Sequence, residues 1–93
     1  MAPESYYSKV GEICERYGVL LIADGVLCGT GCTGKYLALN HWGAQADIVS
    51  LGKGLTAGWS PLVAVVVKDE LVEAVLDDGG FTHDYTYTEN PMA

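Results

Sequence analysis

The chain is expected to be α/β, with a mainly parallel sheet flanked by helices and no closed second layer. Three observations predict this. The run Val19-Leu20-Leu21-Ile22-Ala23 has no polar alternation and reads as a strand covered on both faces, the habit of parallel sheets. A helical period precedes it. A second long apolar run, Leu62 to Val67, leads directly into another helical period.

In chain order, Tyr6, Val10, Ile13, Cys14 and Tyr17 recur at helical spacing, with Ser5 available as N-cap and Gly18 as the C-terminal stop. The Val19–Ala23 strand ends at Asp24-Gly25. A glycine-rich stretch then runs to Gly34, followed by a short helical piece around Lys35 to Trp42. Asp47-Ile48-Val49-Ser50-Leu51 reads as a second strand, closed by Gly52-Lys53-Gly54. Past the turn residues Gly58-Trp59-Ser60-Pro61, Leu62 to Val67 is the third strand. Asp69 starts a helix whose Leu71, Val72, Val75 and Leu76 form one stripe, and Asp78-Gly79-Gly80 ends it. The remaining FTHDYTYTENPMA is a polar loop that enters another helix at Pro91. Three strands with helices at both ends do not bury both faces of a sheet, so the expectation is a piece of a larger domain.

Composition narrows the function classes. The 93 residues include 49% hydrophobic side chains, which indicates a globular chain. Twelve acidic against five basic residues leave a net charge of −7, which argues against nucleic acid or an anionic membrane as partner. No apolar run approaches the roughly 20 residues that span a bilayer. Cys14, Cys28 and Cys32 are odd in number and lack the spacing of a zinc knuckle or redox dithiol, so they read as reduced thiols in a cytoplasmic protein. His41 and His83 have no ligand partners at metal spacing.

In open α/β sheets ligands gather at the carboxyl ends of strands. Asp24 ends the first strand and Lys53 follows the second, so both face one rim. Either alone is an ordinary turn or surface residue. Lys53 between two glycines is less ordinary, because a solvated lysine has no need of close backbone approach. GTGCTGKY, residues 29–36, fits the spacing of a nucleotide P-loop except at Tyr36, where Ser or Thr should coordinate Mg²⁺. The hydroxyls of residues 80–88 can hold a phosphate or form an ordinary polar loop.

Taken together and in order, VLLIADGV, GTGCTGK, HWG with ADIVSLGKGL, PLVAVVV and FTHDYTYTENP resemble the central segment of the large domain of a class III aminotransferase. These are pyridoxal-phosphate enzymes of fold type I. The resemblance covers about Tyr6 to Ala93, so residues 1–93 read as one segment of that domain, without the family's small domain. It implies that Lys53 forms the Schiff base with the cofactor aldehyde and that Asp24 pairs with the pyridine nitrogen. It implies that Val26 packs on the cofactor ring and that Thr86 binds the phosphate, reaching into the partner's site of a homodimer with shared active sites. The implied substrates are an amino donor and a 2-oxo acid. The glycine-rich loop matches a family loop near the active site, so the resemblance implies that the P-loop spacing is a coincidence.

Departures from the family pattern carry their own expectation. Gly25 stands where Glu is usual, and Asp84 and Glu89 place two carboxylates beside Thr86, where charge opposes phosphate binding. Weakened cofactor affinity follows. The family's upstream phosphate loop and substrate-binding small domain have no counterpart in these residues, so the chain alone is expected to be inactive. An aminomutase, a non-catalytic remnant or small interaction protein, and a P-loop nucleotide binder remain as alternatives. A remnant has no reason to keep Lys53, Asp24 and Thr86 together.

Overall fold

In the computed structural model, residues 2–82 and 89–92 are described. Helix α1 spans Tyr6–Tyr17, strand β1 Ile22–Asp24, β2 Ile48–Leu51, β3 Ala64–Val67, and helix α2 Asp69–Asp77. Short 3₁₀ turns at Ala38–Trp42 and Lys53–Thr56 lie on either side of β2 in the chain. The sheet order is β1-β2-β3. β1 runs parallel to β2 with Asp24 opposite Ser50, whereas β3 is antiparallel to β2 with Ala64 opposite Leu51.

The sheet is therefore mixed, where the apolar runs pointed to a mainly parallel one. A parallel return needs a crossover, usually a helix. Residues 52–63 hold only the Lys53–Thr56 turn and bends, so the chain reverses.

α1 has the expected bounds. Gly18 takes the left-handed conformation, φ 62°, and the Val19 amide donates to Cys14 O at 2.9 Å, which ends the helix as glycine at this position does. Ser5 makes no side-chain cap, contrary to expectation; its carbonyl instead accepts the Lys9 amide at 3.1 Å. α2 opens on Asp69 and Glu70, whose charges favour a helix N-terminus, and closes where the Gly80 amide reaches Val75 O at 2.9 Å. The helix expected around Lys35 to Trp42 contracts to the 3₁₀ turn. Pro91 and Met92 form a turn in which the Met92 amide donates to Asn90 Oδ1 at 2.9 Å.

The first strand is shorter than Val19–Ala23 because Asp47 takes over its start. Asp47 Oδ2 accepts the Leu21 amide at 2.7 Å, and the Asp47 and Ile48 amides both donate to Leu21 O. Lys68 Nζ reaches Asp47 Oδ1 at 2.5 Å, and the Lys68 amide donates to Asp47 O at 3.1 Å. Asp47 thus ties the amino ends of β1 and β2 to the far end of β3. The Lys68 ammonium, then the Leu21 amide, hold the Asp47 carboxyl below its ordinary pKa, and Asp47 holds the Lys68 ammonium above its own. A carboxyl depressed on folding adds stability above its unfolded pKa and loses it as pH falls through the folded value. A lysine raised on folding adds stability that disappears as pH climbs through its folded value. Melting followed by circular dichroism should therefore fall at both the acid and the alkaline end, and Asp47→Asn should flatten both limbs.

The core is small and glycine-rich. Among the described residues Val49, Leu51 and Ala44 are the buried hydrophobic side chains, and Gly25, Gly29 and Gly52 are buried as well. Ile22 is 64% exposed, and Val65 and Val66 are also exposed, so the strands expected to be covered on both faces are open among the described residues. α1 accounts for this. It packs on the 3₁₀ turn, with Tyr7 and Trp42 rings 4.7 Å apart and Ser8 Oγ donating to Trp42 O at 3.0 Å, rather than lying across the sheet. Ile13 and Tyr17 of its apolar stripe remain exposed.

Candidate active site at the carboxyl rim of β1 and β2

Asp24 is the last residue of β1, and the parallel register sets it against Ser50. Ser50 Oγ donates to Asp24 Oδ1 at 3.1 Å, and the Val26 amide donates to the same oxygen at 3.0 Å. Both bonds fall on one carboxylate oxygen. Oδ2 receives none from any described residue, so an exposed acceptor is held in fixed orientation and left available. Ser50 was not among the residues expected to matter. Its signal was being the one hydroxyl within an otherwise apolar strand.

Lys53 lies two positions past the end of β2, on the same rim as Asp24 because the two strands are parallel. Its side chain is exposed and has neither ion pair nor hydrogen bond among the described residues. Its backbone has φ 38°, in the left-handed region that a residue with a Cβ enters at a cost. Val26, whose amide bonds Asp24, also reaches the residue before Lys53. A Cβ on Gly52 would meet Val26 Cγ1 at 3.4 Å and Val63 Cγ1 at 3.6 Å, so Val26 lies on the bare backbone just before the lysine. The rim thus brings together an acid, an apolar side chain and an amine. Thr86, Asp84 and His83 lie outside the described residues. Glu89 is exposed in a turn.

The glycine-rich loop closes over the end of β2. The Gly25 amide donates to Ser50 O at 2.8 Å and the Gly29 amide to Gly25 O at 2.8 Å. A Cβ on Gly29 would stand 2.6 Å from Gly25 O and 2.8 Å from Leu51 Cδ2. Gly29→Ala must therefore lift the loop off Leu51, and we expect a loss of about 1–3 kcal/mol in denaturant unfolding, the usual cost of overpacking. At Gly25 the space is also closed, since a Cβ would lie 2.9 Å from Ser50 O. The loop leads into turns and bends and then the 3₁₀ turn at Ala38, not into the helix whose N-terminus a P-loop requires. His41 Nε2 lies 2.9 Å from Thr33 O and 3.2 Å from Thr33 Oγ1, which fastens the end of this loop. Cys14, Cys28 and Cys32 are free thiols, and Cys28 Sγ points to Asp24 O at 3.6 Å.

A cleft of about 700 Å³ lies at the other end of the strands, between α1 and the starts of β1 and β2. It contains none of the rim residues.

A family model described as Aminotransferase class-III matches residues 1–93. Putrescine–pyruvate aminotransferase of Pseudomonas aeruginosa is 42% identical over 91 residues, covering 98% of this chain and 20% of that protein. Adenosylmethionine-8-amino-7-oxononanoate aminotransferase of Staphylococcus aureus is 41% identical over 94 residues, covering 97% and 21%. Among solved structures, a thermostable (S)-enantioselective omega-transaminase from Thermomicrobium roseum superposes with a TM-score of 0.83 at 39% identity, covering 94% of this chain and 20% of that one. The chain thus spans about a fifth of the length of the relatives it matches.

Proposed function

The chain belongs to the class III aminotransferase family, and from that membership we propose that it carries the lysine and aspartate of a pyridoxal-phosphate site for amino transfer. The donor would be an amine or amino acid and the acceptor a 2-oxo acid. The observation that carries the reading is the rim: Asp24 has one oxygen fixed by Ser50 and Val26 and the other without a bond from any described residue, and Lys53, unpaired among the described residues, lies past the end of the neighbouring parallel strand. Such a donor set fits the cofactor, which needs an acceptor for its ring N–H, an apolar contact for its ring and an amine for its aldehyde.

When bound, pyridoxal phosphate supplies a ring that takes up the electron pair released as a substrate C–H bond breaks. The chain's residues do the rest. Asp24 would accept the ring N–H through its second carboxylate oxygen, and Ser50, bonded to the first, would keep the carboxylate from turning away. Val26 would cover one face of the ring and keep water from it. Lys53 Nζ would hold the aldehyde end of the cofactor, and as a free amine it would carry a proton to and from the substrate α-carbon. Thr86 would hold the phosphate, in a homodimer whose two sites share residues. The three free thiols support a place in the cytoplasm. Among the described residues no helix is long and apolar enough to cross a membrane.

The test is direct. Full-length protein carrying residues 1–93, given the cofactor, a panel of amines and pyruvate or 2-oxoglutarate, should form alanine or glutamate. The isolated 93 residues should not. No amino transfer with any donor by the folded, cofactor-supplied full-length protein would overturn the reading.

A further inference from the structure

We propose that Thr30 is a positioning residue for Lys53: its side chain fills the space over the Cβ-less face of Gly54 and braces the turn that presents the lysine. The inference rests on the assignment of Lys53 given above, and it deepens that assignment.

Lys53 needs such a brace. At φ 38° it occupies a conformation that residues with a Cβ avoid, and strained positions persist only where the surroundings fix them. Its neighbours show how. A Cβ on Gly54 would stand 2.6 Å from Thr30 Oγ1 and 3.5 Å from Cys32 Sγ, so these two side chains are seated on the Gly54 backbone. Thr30 is held in turn: its Oγ1 donates to Gly29 O at 2.8 Å, and its own φ is 56°.

The loop is clamped on both sides of the lysine. Gly29 is pressed against Leu51 Cδ2, two residues before Lys53, and Thr30 against Gly54, one residue after it. Leu51 is 3% exposed and cannot yield without opening the core. His41 fastens the loop at Thr33. The backbone of residues 51–54 thus lies under the loop, with the Thr30 hydroxyl seated just beyond the lysine. Without it, Lys53 is free to relax toward negative φ, and its amine leaves the Asp24 side of the rim.

The experiment measures the rate at which Lys53 is captured by pyridoxal phosphate, trapped with borohydride and located by peptide mapping, in the full-length protein carrying residues 1–93. Capture at Lys35 serves as internal control, and circular dichroism melting reports the fold. Thr30→Ala should slow capture at Lys53 by about tenfold, the scale of a small misplacement of a reacting group, with melting and Lys35 capture unchanged. Thr30→Ser, which keeps Oγ, should react within about twofold of the unaltered protein. Gly54→Ala should also slow capture, because its methyl displaces Thr30. The double variant should recover most of the rate, since the methyl then occupies the space the hydroxyl left, and such non-additivity marks direct coupling. Unaltered capture by Thr30→Ala, or equal slowing at Lys35, overturns the brace while leaving Lys53 as the reactive amine. No capture at Lys53 in the unaltered, folded protein overturns the assignment of the lysine itself, and the brace with it.

Discussion

Replacing Lys53 by alanine in the full-length protein is expected to lower kcat for amino transfer on the order of 10²–10⁴-fold, the range for loss of a positioned acid–base group. Covalent attachment of the cofactor should vanish as well. The side chain is exposed and unpaired among the described residues, so its removal leaves no buried partner without a bond. Lys53→Arg should fail equally, because a guanidinium stays protonated and cannot attack an aldehyde. Lys53→Gly adds a contrast. It relieves the positive-φ strain at this residue, so activity should be lost without a drop in melting temperature. Steady-state kinetics beside thermal unfolding checks all three, and an alanine variant within tenfold of the unaltered kcat would contradict the assignment.

Asp24→Asn is expected to cost on the order of 10²–10³ in kcat, the scale of removing one preorganised electrostatic contact. The fold should survive. An asparagine carbonyl can still accept from the Val26 amide and Ser50 Oγ, the two bonds that orient Asp24 Oδ1. What changes is the charge on the oxygen that would face the ring nitrogen in the proposed site. Ser50→Ala should act in the same direction but less, since it frees the carboxylate to turn without neutralising it. A loss shared by kcat and melting temperature in Asp24→Asn would point to a structural role instead.

The legible parts of the fold were those encoded locally. α1 was readable end to end because a helical period and a glycine stop lie within one stretch of chain. Asp69 and Gly79-Gly80 bound α2 for the same reason. The direction of β3 was not, since an apolar run looks alike in parallel and antiparallel pairs and only the chain length and turns between strands decide. Nor was strand burial, which depends on what covers a face. Asp47 shortened β1 by bonding Leu21 from 26 residues away, a contact no local pattern shows.

The candidate site divides along the same line. Asp24 and Lys53 could be placed on one rim from strand ends alone, and the structure puts them there. Val26 came only through the family resemblance, and the structure places it against Gly52. The contacts that Ser50, Thr30 and Gly54 make could not be read from sequence because they are pairwise. Ser50 matters through a register, and Gly54 through the side chain of a residue in a different loop. Thr86 and its neighbouring Asp84 lie outside the described residues, so their phosphate role rests on the resemblance. The weakened affinity expected from Asp84 and Glu89 is checked by cofactor titration of the full-length protein against its relatives.

The measurement that bears most directly on the account is the location of the cofactor itself. Full-length protein carrying residues 1–93 is mixed with pyridoxal phosphate, reduced with borohydride, digested and mapped by mass spectrometry. The account predicts a label concentrated on Lys53 and absent after Lys53→Arg. A label spread over Lys9, Lys35 and Lys68 with none at Lys53 would contradict it.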